Sequence, residues 1–186
     1  MTFADPPILS QNDIHRLEDE AGIEFVDGRI EEKPVSIESS RVGARIMRLL
    51  SNEAETSGAA EVFDPSLGYK VYPEDPAKFR KPDASVIRAE RMVRVDRSVG
   101  FSHIPADLVI EVISPTDLAY GVAEKVDEYL RYGFALTWVV FPNTRSVAVY
   151  RADGSAALVR GDAEITGESA LPGFRCKASA FFKRSA

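Results

Sequence analysis

Three charged residues lie where apolar residues are expected: Asp83 and Glu111 are in apolar strand segments, and Lys125 borders the buried face of a helix. A carboxylate buried in an apolar strand costs free energy unless it pairs with a cation or binds a metal ion. Two carboxylates can hold Mg²⁺ or Mn²⁺, whose remaining positions take water and phosphate oxygens. A nearby lysine can orient or deprotonate the attacking water and offset charge on the phosphorus. The three residues therefore predict metal-dependent hydrolysis of a phosphodiester, with Asp83 and Glu111 as metal ligands and Lys125 as the catalytic ammonium.

Each residue also has a simpler interpretation. Glu111 could reach solvent at the end of its strand, or pair with an arginine. Lys125 could lay its stem over apolar surface with its ammonium in water. Asp83 follows a proline, and Pro-Asp is also turn chemistry.

The spacing of Glu111 and Lys125 is that of a strand followed by a crossover helix. Thr116 or Asp117 is expected to cap a helix that runs to about Tyr132, with Lys125 bordering its buried face. Glu111 precedes the turn by about three residues, roughly 10 Å at the rise of a strand. Lys125 follows the cap by about nine residues, roughly 13 Å at the rise of a helix. A helix that folds back along the strand therefore brings the lysine level with the glutamate.

The rest of the chain predicts a mixed sheet flanked by helices. An Asp-Gly turn predicts a hairpin over 23–31, and apolar periodicity predicts a long helix over about 37–56. Further strands are expected at 61–63, 67–72, 82–87, 107–113, 136–141 and 146–150, with an irregular insertion at 88–105. The strand–helix–strand unit over 107–141 favours an α/β fold. We expect one domain over residues 1–186, in which 1–22 form an N-terminal helical extension with a helix over about 11–20.

Composition restricts the chemistry. The chain has 186 residues, two histidines and one cysteine, so a site built from several imidazoles or thiolates is excluded, as is an intrachain disulfide. It carries 23 Lys and Arg against 29 Asp and Glu, a formal net charge of −6, which counts against a nucleic-acid binder unless the charge is segregated. We see no secretion signal and no membrane-spanning apolar run, so we expect a cytoplasmic protein without membrane association.

Two groups of arginines could supply that segregated positive charge. Arg41 and Arg45 fall on one side of the long helix, and Arg88 and Arg91 lie in the insertion between the two acid-bearing strands. A basic rim beside the metal site would bind DNA. The alternative is an ordinary solvated surface, partly neutralised by neighbouring acids.

The chain also resembles a known family through an ordered set of motifs. They are Lys81-Pro82-Asp83, residues 105–115 (PADLVIEVISP), Glu124-Lys125-Val126, Trp138-Val139-Val140, Val149-Tyr150-Arg151 and Leu171-Pro172-Gly173-Phe174. From about residue 23 onwards the chain is similar to the Uma2 family of restriction-endonuclease-like proteins. The resemblance implies the PD-(D/E)XK nuclease fold, an α/β/α core around a mixed sheet, and magnesium-dependent DNA cleavage without an organic cofactor. Asp83 then matches the family's first acid and Glu111 its second; Ile113 stands where the wider superfamily has its lysine, and Lys125 takes that role from the following helix.

One position departs from the family pattern, because Arg41 stands where members usually have a helical acid. If Arg41 faces the site, it would pair with one of the metal-binding carboxylates and weaken metal affinity. We therefore expect DNA cleavage to be weak. We also expect a homodimer, since duplex DNA presents two strands to cut. Two other functions stay open: a binding or regulatory module that has lost catalysis, and a hydrolase of smaller phosphorylated substrates.

Overall fold

The computed structural model of the chain describes residues 13, 16, 17, 20 and 22–184. The helix expected over about 11–20 lies mostly outside these residues, although Asp13, Arg16 and Leu17 have helical backbone. The predicted extension over 1–22 therefore stays a prediction. Neither α-helix in the described part of the chain has the length and apolar character that crossing a bilayer requires.

The described residues form twelve strands and two α-helices of known bounds. The strands are β1 (Ile23–Val26), β2 (Arg29–Glu32), β3 (Ala60–Phe63), β4 (Gly68–Tyr69), β5 (Ala84–Arg88), β6 (Phe101–Ser102), β7 (Leu108–Val112), β8 (Leu136–Phe141), β9 (Ser146–Arg151), β10 (Ala156–Arg160), β11 (Glu164–Thr166) and β12 (Arg175–Lys177). The α-helices are α1 (Ile37–Ser57) and α2 (Ala119–Arg131), and short 3₁₀ helices cover Ala89–Arg94 and Ala178–Phe182.

Six strands form a mixed central sheet in the order β10-β9-β8-β7-β5-β3. Strands β7 and β8 are parallel, and every other neighbouring pair in this sheet is antiparallel. Helix α2 connects the parallel pair, because parallel neighbours need a crossover. Strands β1 and β2, β4 and β6, and β11 and β12 form three smaller two-stranded sheets.

The two helices cover opposite faces of the sheet. Val42, Ile46 and Leu50, spaced four residues apart on α1, are fully buried in the same cluster as Leu108 and Ile110 of β7. On the other face, Val109 of β7 lies in a cluster with Tyr129 of α2, and Val126 of α2 packs with Val139 of β8. This confirms the α/β fold with a mixed sheet between helices.

Local chemistry explains where α1 and the first hairpin begin and end. The Ser36 hydroxyl accepts a hydrogen bond from the Ser39 N–H, and the Ser39 hydroxyl accepts one from the Ser36 N–H, which is a capping box. Helix α1 is followed by Gly58, whose left-handed φ of 64° ends it. The β1–β2 turn uses Asp27 and Gly28, with φ of 49° and 76°, as a two-residue turn of this hairpin type requires.

The structure corrects several predicted elements. The N-cap residue of helix α2 is Leu118, which makes no side-chain cap, so the prediction of a cap by Thr116 or Asp117 was wrong. The Asp117 carboxylate instead accepts a hydrogen bond from the Ser114 N–H at 2.6 Å. The strand expected over 67–72 pairs only at Gly68–Tyr69, and the insertion contains a 3₁₀ helix. Strands β10 to β12 were not predicted.

Candidate active site

Asp83 and Glu111, which we call the carboxylate pair, lie on neighbouring antiparallel chain segments. Asp83 directly precedes β5, and its N–H donates to the carbonyl of Ile110 at 3.0 Å. Its Oδ2 accepts the Val112 N–H at 2.6 Å. In Glu111, Oε1 accepts the Tyr129 hydroxyl at 2.7 Å. One oxygen of each carboxylate is therefore fixed by a donor of the protein, which leaves the other oxygen for a cation.

A single ammonium contacts both of the remaining oxygens. Lys33 Nζ lies 2.8 Å from Asp83 Oδ1 and 3.2 Å from Glu111 Oε2. The two acids thus lie close enough to share one ion, which is the arrangement that the sequence predicts for them. Lys33 itself was not predicted to take part.

Lys125 lies beside Glu111, as the strand and helix lengths predict. Its Nζ is 3.8 Å from Glu111 Oε2, and it donates to Glu24 Oε2 at 2.8 Å. Lys125 is therefore directed into the site and is not a surface lysine with its ammonium in water. Its role as the catalytic ammonium stays a prediction.

Glu24 of β1 is the anion that positions Lys125, and its side chain is completely buried. Its Oε1 accepts the Lys81 N–H at 2.8 Å, and its Oε2 also accepts from Arg80 at 3.0 Å. Arg80 further binds Glu128 of α2 through two nitrogens at 3.0 Å. These contacts tie the β1–β2 hairpin to both the segment before Asp83 and the helix that carries Lys125.

Burial and the surrounding charges shift the ionisation of this cluster. Burial raises the pKa of Glu111, and Lys125 and Lys33 offset only part of that rise. Burial alone would also raise the pKa of Glu24, but Lys125, Lys33 and Arg80 outweigh it and lower the pKa to about 2. Burial by itself would lower the pKa of Lys33, but Glu111, Asp83 and Glu24 reverse this and raise it above its ordinary value. Glu24 and Lys33 are therefore a carboxylate and an ammonium at neutral pH.

The sequence interpretation missed the contribution of the hairpin, although one signal was available. In β1 (Ile-Glu-Phe-Val) an acid interrupts an apolar strand, as Glu111 does in β7. The hairpin reaches the site because Phe25 and Phe79 exchange backbone hydrogen bonds of 3.2 and 2.9 Å. Lys33 follows β2 directly, and its N–H bonds the Gly22 carbonyl at 2.8 Å. Nothing in the local sequence around Lys33 predicts which residues its ammonium contacts.

The site opens into a pocket of about 140 Å³ that is predominantly acidic. Besides Lys33 and Lys125, its charged lining consists of Glu24, Glu31, Glu32, Asp83, Glu111 and Asp117. A second cavity of about 250 Å³, lined by Ser39, Ser40 and Gly43 of α1, shares Asp83 and Val112 with the first. The carboxylate pair therefore lies in a groove between the hairpin, α1 and α2.

The carboxylate pair is the set of residues that could hold a metal ion in this site. Within the described residues, no group of three or more His, Cys, Asp or Glu side chains could hold a metal ion. Mg²⁺ is commonly held by one or two carboxylates and keeps several waters, so two acids suffice for it.

The two arginines of α1 that were predicted to bind DNA contact the C-terminal segment. Arg41 pairs with Glu38 at 2.6 Å and donates to the Lys183 carbonyl at 2.9 Å. Its guanidinium therefore pairs with neither member of the carboxylate pair, contrary to the expectation for a residue facing the site. Arg45 donates to the Ala180 carbonyl at 2.8 Å.

The two predicted DNA-binding arginines of the insertion share one buried acid. Arg88 and Arg91 lie 3.0 and 2.7 Å from Asp107 Oδ1, and Arg91 also donates to the Pro105 carbonyl at 2.9 Å. These contacts anchor the 3₁₀ helix against the start of β7. DNA binding by the four arginines stays a prediction.

Comparison with known proteins agrees with this architecture. A crystal structure described as "a putative nuclease belonging to DUF820" from Anabaena variabilis ATCC 29413 superposes with a TM-score of 0.79 at 19% identity, covering 94% of this chain and 97% of that one. At this identity the likeness shows the fold. A search of curated sequences returned no match. The profile of the Uma2 family, described as "Putative restriction endonuclease", matches residues 11–179, nearly the whole chain. The protein therefore belongs to the Uma2 family.

Proposed function

We propose that this protein is a Mg²⁺-dependent endonuclease that hydrolyses phosphodiester bonds in DNA. The observation that carries the proposal is the carboxylate pair: each acid has one oxygen fixed by a protein donor, and the other two oxygens contact the same cation, Lys33 Nζ. Membership of a family described as restriction endonucleases supports DNA as the substrate.

The donor set fits Mg²⁺, or Mn²⁺ in its place, because both are hard cations that prefer oxygen. When bound, the ion would supply an activated water and polarise the phosphoryl oxygens. The Val112 N–H and the Tyr129 hydroxyl would keep Asp83 and Glu111 in the orientation that holds it.

Lys125 would supply the positive charge of the catalytic step. Glu24 holds its ammonium beside Glu111, where it would orient the attacking water and offset the negative charge that grows on the phosphate. The water gives up a proton to solvent as its oxygen bonds to phosphorus, one P–O ester bond breaks, and the departing oxygen takes up a proton from solvent. The products are a phosphate monoester end and a hydroxyl end.

Cleavage assays test the proposal. Supercoiled, linear and branched DNA are incubated with the protein and Mg²⁺ or Mn²⁺, and we expect slow, EDTA-sensitive nicking with little sequence preference. Asp83→Asn and Lys125→Met should each reduce cleavage by at least a hundredfold. The exposed ion pair of Asp162 and Lys177 provides matched controls, because Asp162→Asn and Lys177→Met change the same residue types away from the site. Cleavage that survives Asp83→Asn would refute the assigned metal site.

We further propose that the active form is a homodimer that presents one site to each strand of a duplex. Sedimentation equilibrium should give a mass of twice 20.4 kDa. A monomer that cuts both strands would refute this part of the proposal.

One observation favours a second candidate, a nuclease-fold binding module without catalysis. Lys33 already contacts the free oxygen of each carboxylate, so both acids have a cationic partner without a metal. The module would bind DNA equally well in EDTA and cleave nothing with Mg²⁺ or Mn²⁺.

A further inference from the structure

Lys33 makes every contact that an ammonium can make. Its three protons have three acceptors, at 2.8 Å in the Lys81 carbonyl, 2.8 Å in Asp83 Oδ1 and 3.2 Å in Glu111 Oε2. The side chain is only 12% exposed. The carboxylate pair is therefore a built cation site that the chain fills with one of its own residues.

We propose that Lys33 is an internal counter-ion that competes with the divalent metal for the carboxylate pair and has to leave when the metal binds. This rests on the proposed function, because it takes the pair to be the metal site. The Lys33 ammonium and the divalent metal require the same two carboxylate oxygens. Two cations bound to the same oxygens would lie within a few ångströms of each other and repel strongly in a buried site. Metal affinity is then limited by the cost of removing Lys33.

Movement of the side chain is enough to clear the site. The backbone of Lys33 is held by the bond from its N–H to the Gly22 carbonyl, whereas the side chain is long and the lining of the pocket offers it another anion. Glu32, which is exposed and lines the same pocket, is such an acceptor. Lys125 is not the group displaced, because Glu24 binds it at 2.8 Å and its distance to Glu111 is 3.8 Å. The displaced ammonium would lie at the mouth of the pocket, where a substrate phosphate enters.

Mn²⁺ titration calorimetry without nucleic acid tests the competition. Lys33→Met keeps the length and apolar stem of the side chain and removes its charge, and we expect it to bind Mn²⁺ at least tenfold more tightly than the wild type. Lys33→Arg, which keeps the charge, should bind Mn²⁺ as weakly as the wild type. Lys177→Met, which removes an exposed lysine, should have a Mn²⁺ affinity within twofold of the wild type. If folded Lys33→Met binds Mn²⁺ as weakly as the wild type, or more weakly, the inference is wrong.

A second measurement follows Lys33 in the wild type and needs a variant, Lys33→Arg, only to assign the signal. Protons of a buried, fully hydrogen-bonded ammonium exchange slowly, and ¹⁵N-resolved NMR of lysine side chains should show a Lys33 signal in EDTA, identified by its absence from Lys33→Arg. Saturating Mg²⁺ should abolish that signal by exposing the ammonium to water. A Lys33 signal that persists unchanged with bound Mg²⁺ would overturn the proposal.

The outcomes separate this inference from the proposed function. Tight Mn²⁺ binding by Lys33→Met, with no cleavage of any DNA by either protein, would support the counter-ion and refute the nuclease. Metal-dependent cleavage by the wild type, with equal Mn²⁺ affinity in both proteins, would support the nuclease and refute the counter-ion.

Discussion

Replacement of Glu24 by glutamine should destabilise the protein in a way that depends on pH. The Glu24 side chain is completely buried, and two cations and one backbone N–H bind it at 2.8–3.0 Å. Glutamine has nearly the same shape but no charge, and one of its two terminal atoms donates where the carboxylate accepted. Arg80 and Lys125 would then be buried with one anion fewer.

The magnitude follows from the pKa of Glu24, which is lowered from 4.5 to about 2. A shift of this size corresponds to about 3 kcal/mol of stability at pH 7. Because the folded-state pKa is the lower one, this stability is present above the unfolded pKa and disappears as the pH falls towards 2. Linkage gives a loss of about 1 kcal/mol by pH 4 and about 2 kcal/mol by pH 3. The difference between wild type and Glu24→Gln should therefore shrink from about 3 kcal/mol at pH 7 to about 1 kcal/mol at pH 3.

Urea unfolding at a series of pH values measures this difference. Trp138 is the single tryptophan and is fully buried, so its fluorescence reports the loss of the core. Glu61→Gln is the control, because Glu61 forms a surface ion pair with Arg97, and we expect it to change stability by less than about 0.5 kcal/mol. Equal stability of wild type and Glu24→Gln at pH 7 would refute the reasoning. A difference that stays constant down to pH 3 would show that glutamine acts through packing and not through charge.

Three further substitutions test contacts around the site by the same urea unfolding. Tyr129→Phe removes the hydroxyl bound to Glu111 and should cost about 1–3 kcal/mol, since a buried carboxylate oxygen loses its donor; an unchanged midpoint would contradict that hydrogen bond. Ser39→Ala leaves the Ser36 cap in place but removes the Ser39 hydroxyl that accepts from the Ser36 N–H and contacts Ser114, and we expect a loss of about 1 kcal/mol. Asp107→Asn leaves two arginines without their shared anion and should cost about 2 kcal/mol or more, with faster proteolysis of the insertion, whereas no loss would show that these ion pairs are solvated.

Short stretches of sequence already determined the relative placement of Glu111 and Lys125. The alternation in β7 places Leu108 and Ile110 on one face of the sheet and Glu111 on the other, and the structure shows that α1 covers the first of these faces. The lengths of β7 and α2 then place Lys125 beside Glu111. These relations hold because the rise per residue of a strand and of a helix is fixed by the backbone, so spacing along the chain converts directly into distance.

Only the tertiary structure decided which charges meet. Lys33 contacts Asp83 and Glu111 across separations of 50 and 78 residues, and Glu24 contacts Lys125 across 101. Both residues reach the site through the docking of a hairpin, which no periodic pattern of the chain encodes. With 23 Lys and Arg and 29 Asp and Glu, the sequence offers many pairings of opposite charge, and the sequence of a segment does not rank them. Burial ranks them, because a charge removed from water is stable only beside a partner that the whole fold brings within about 3 Å.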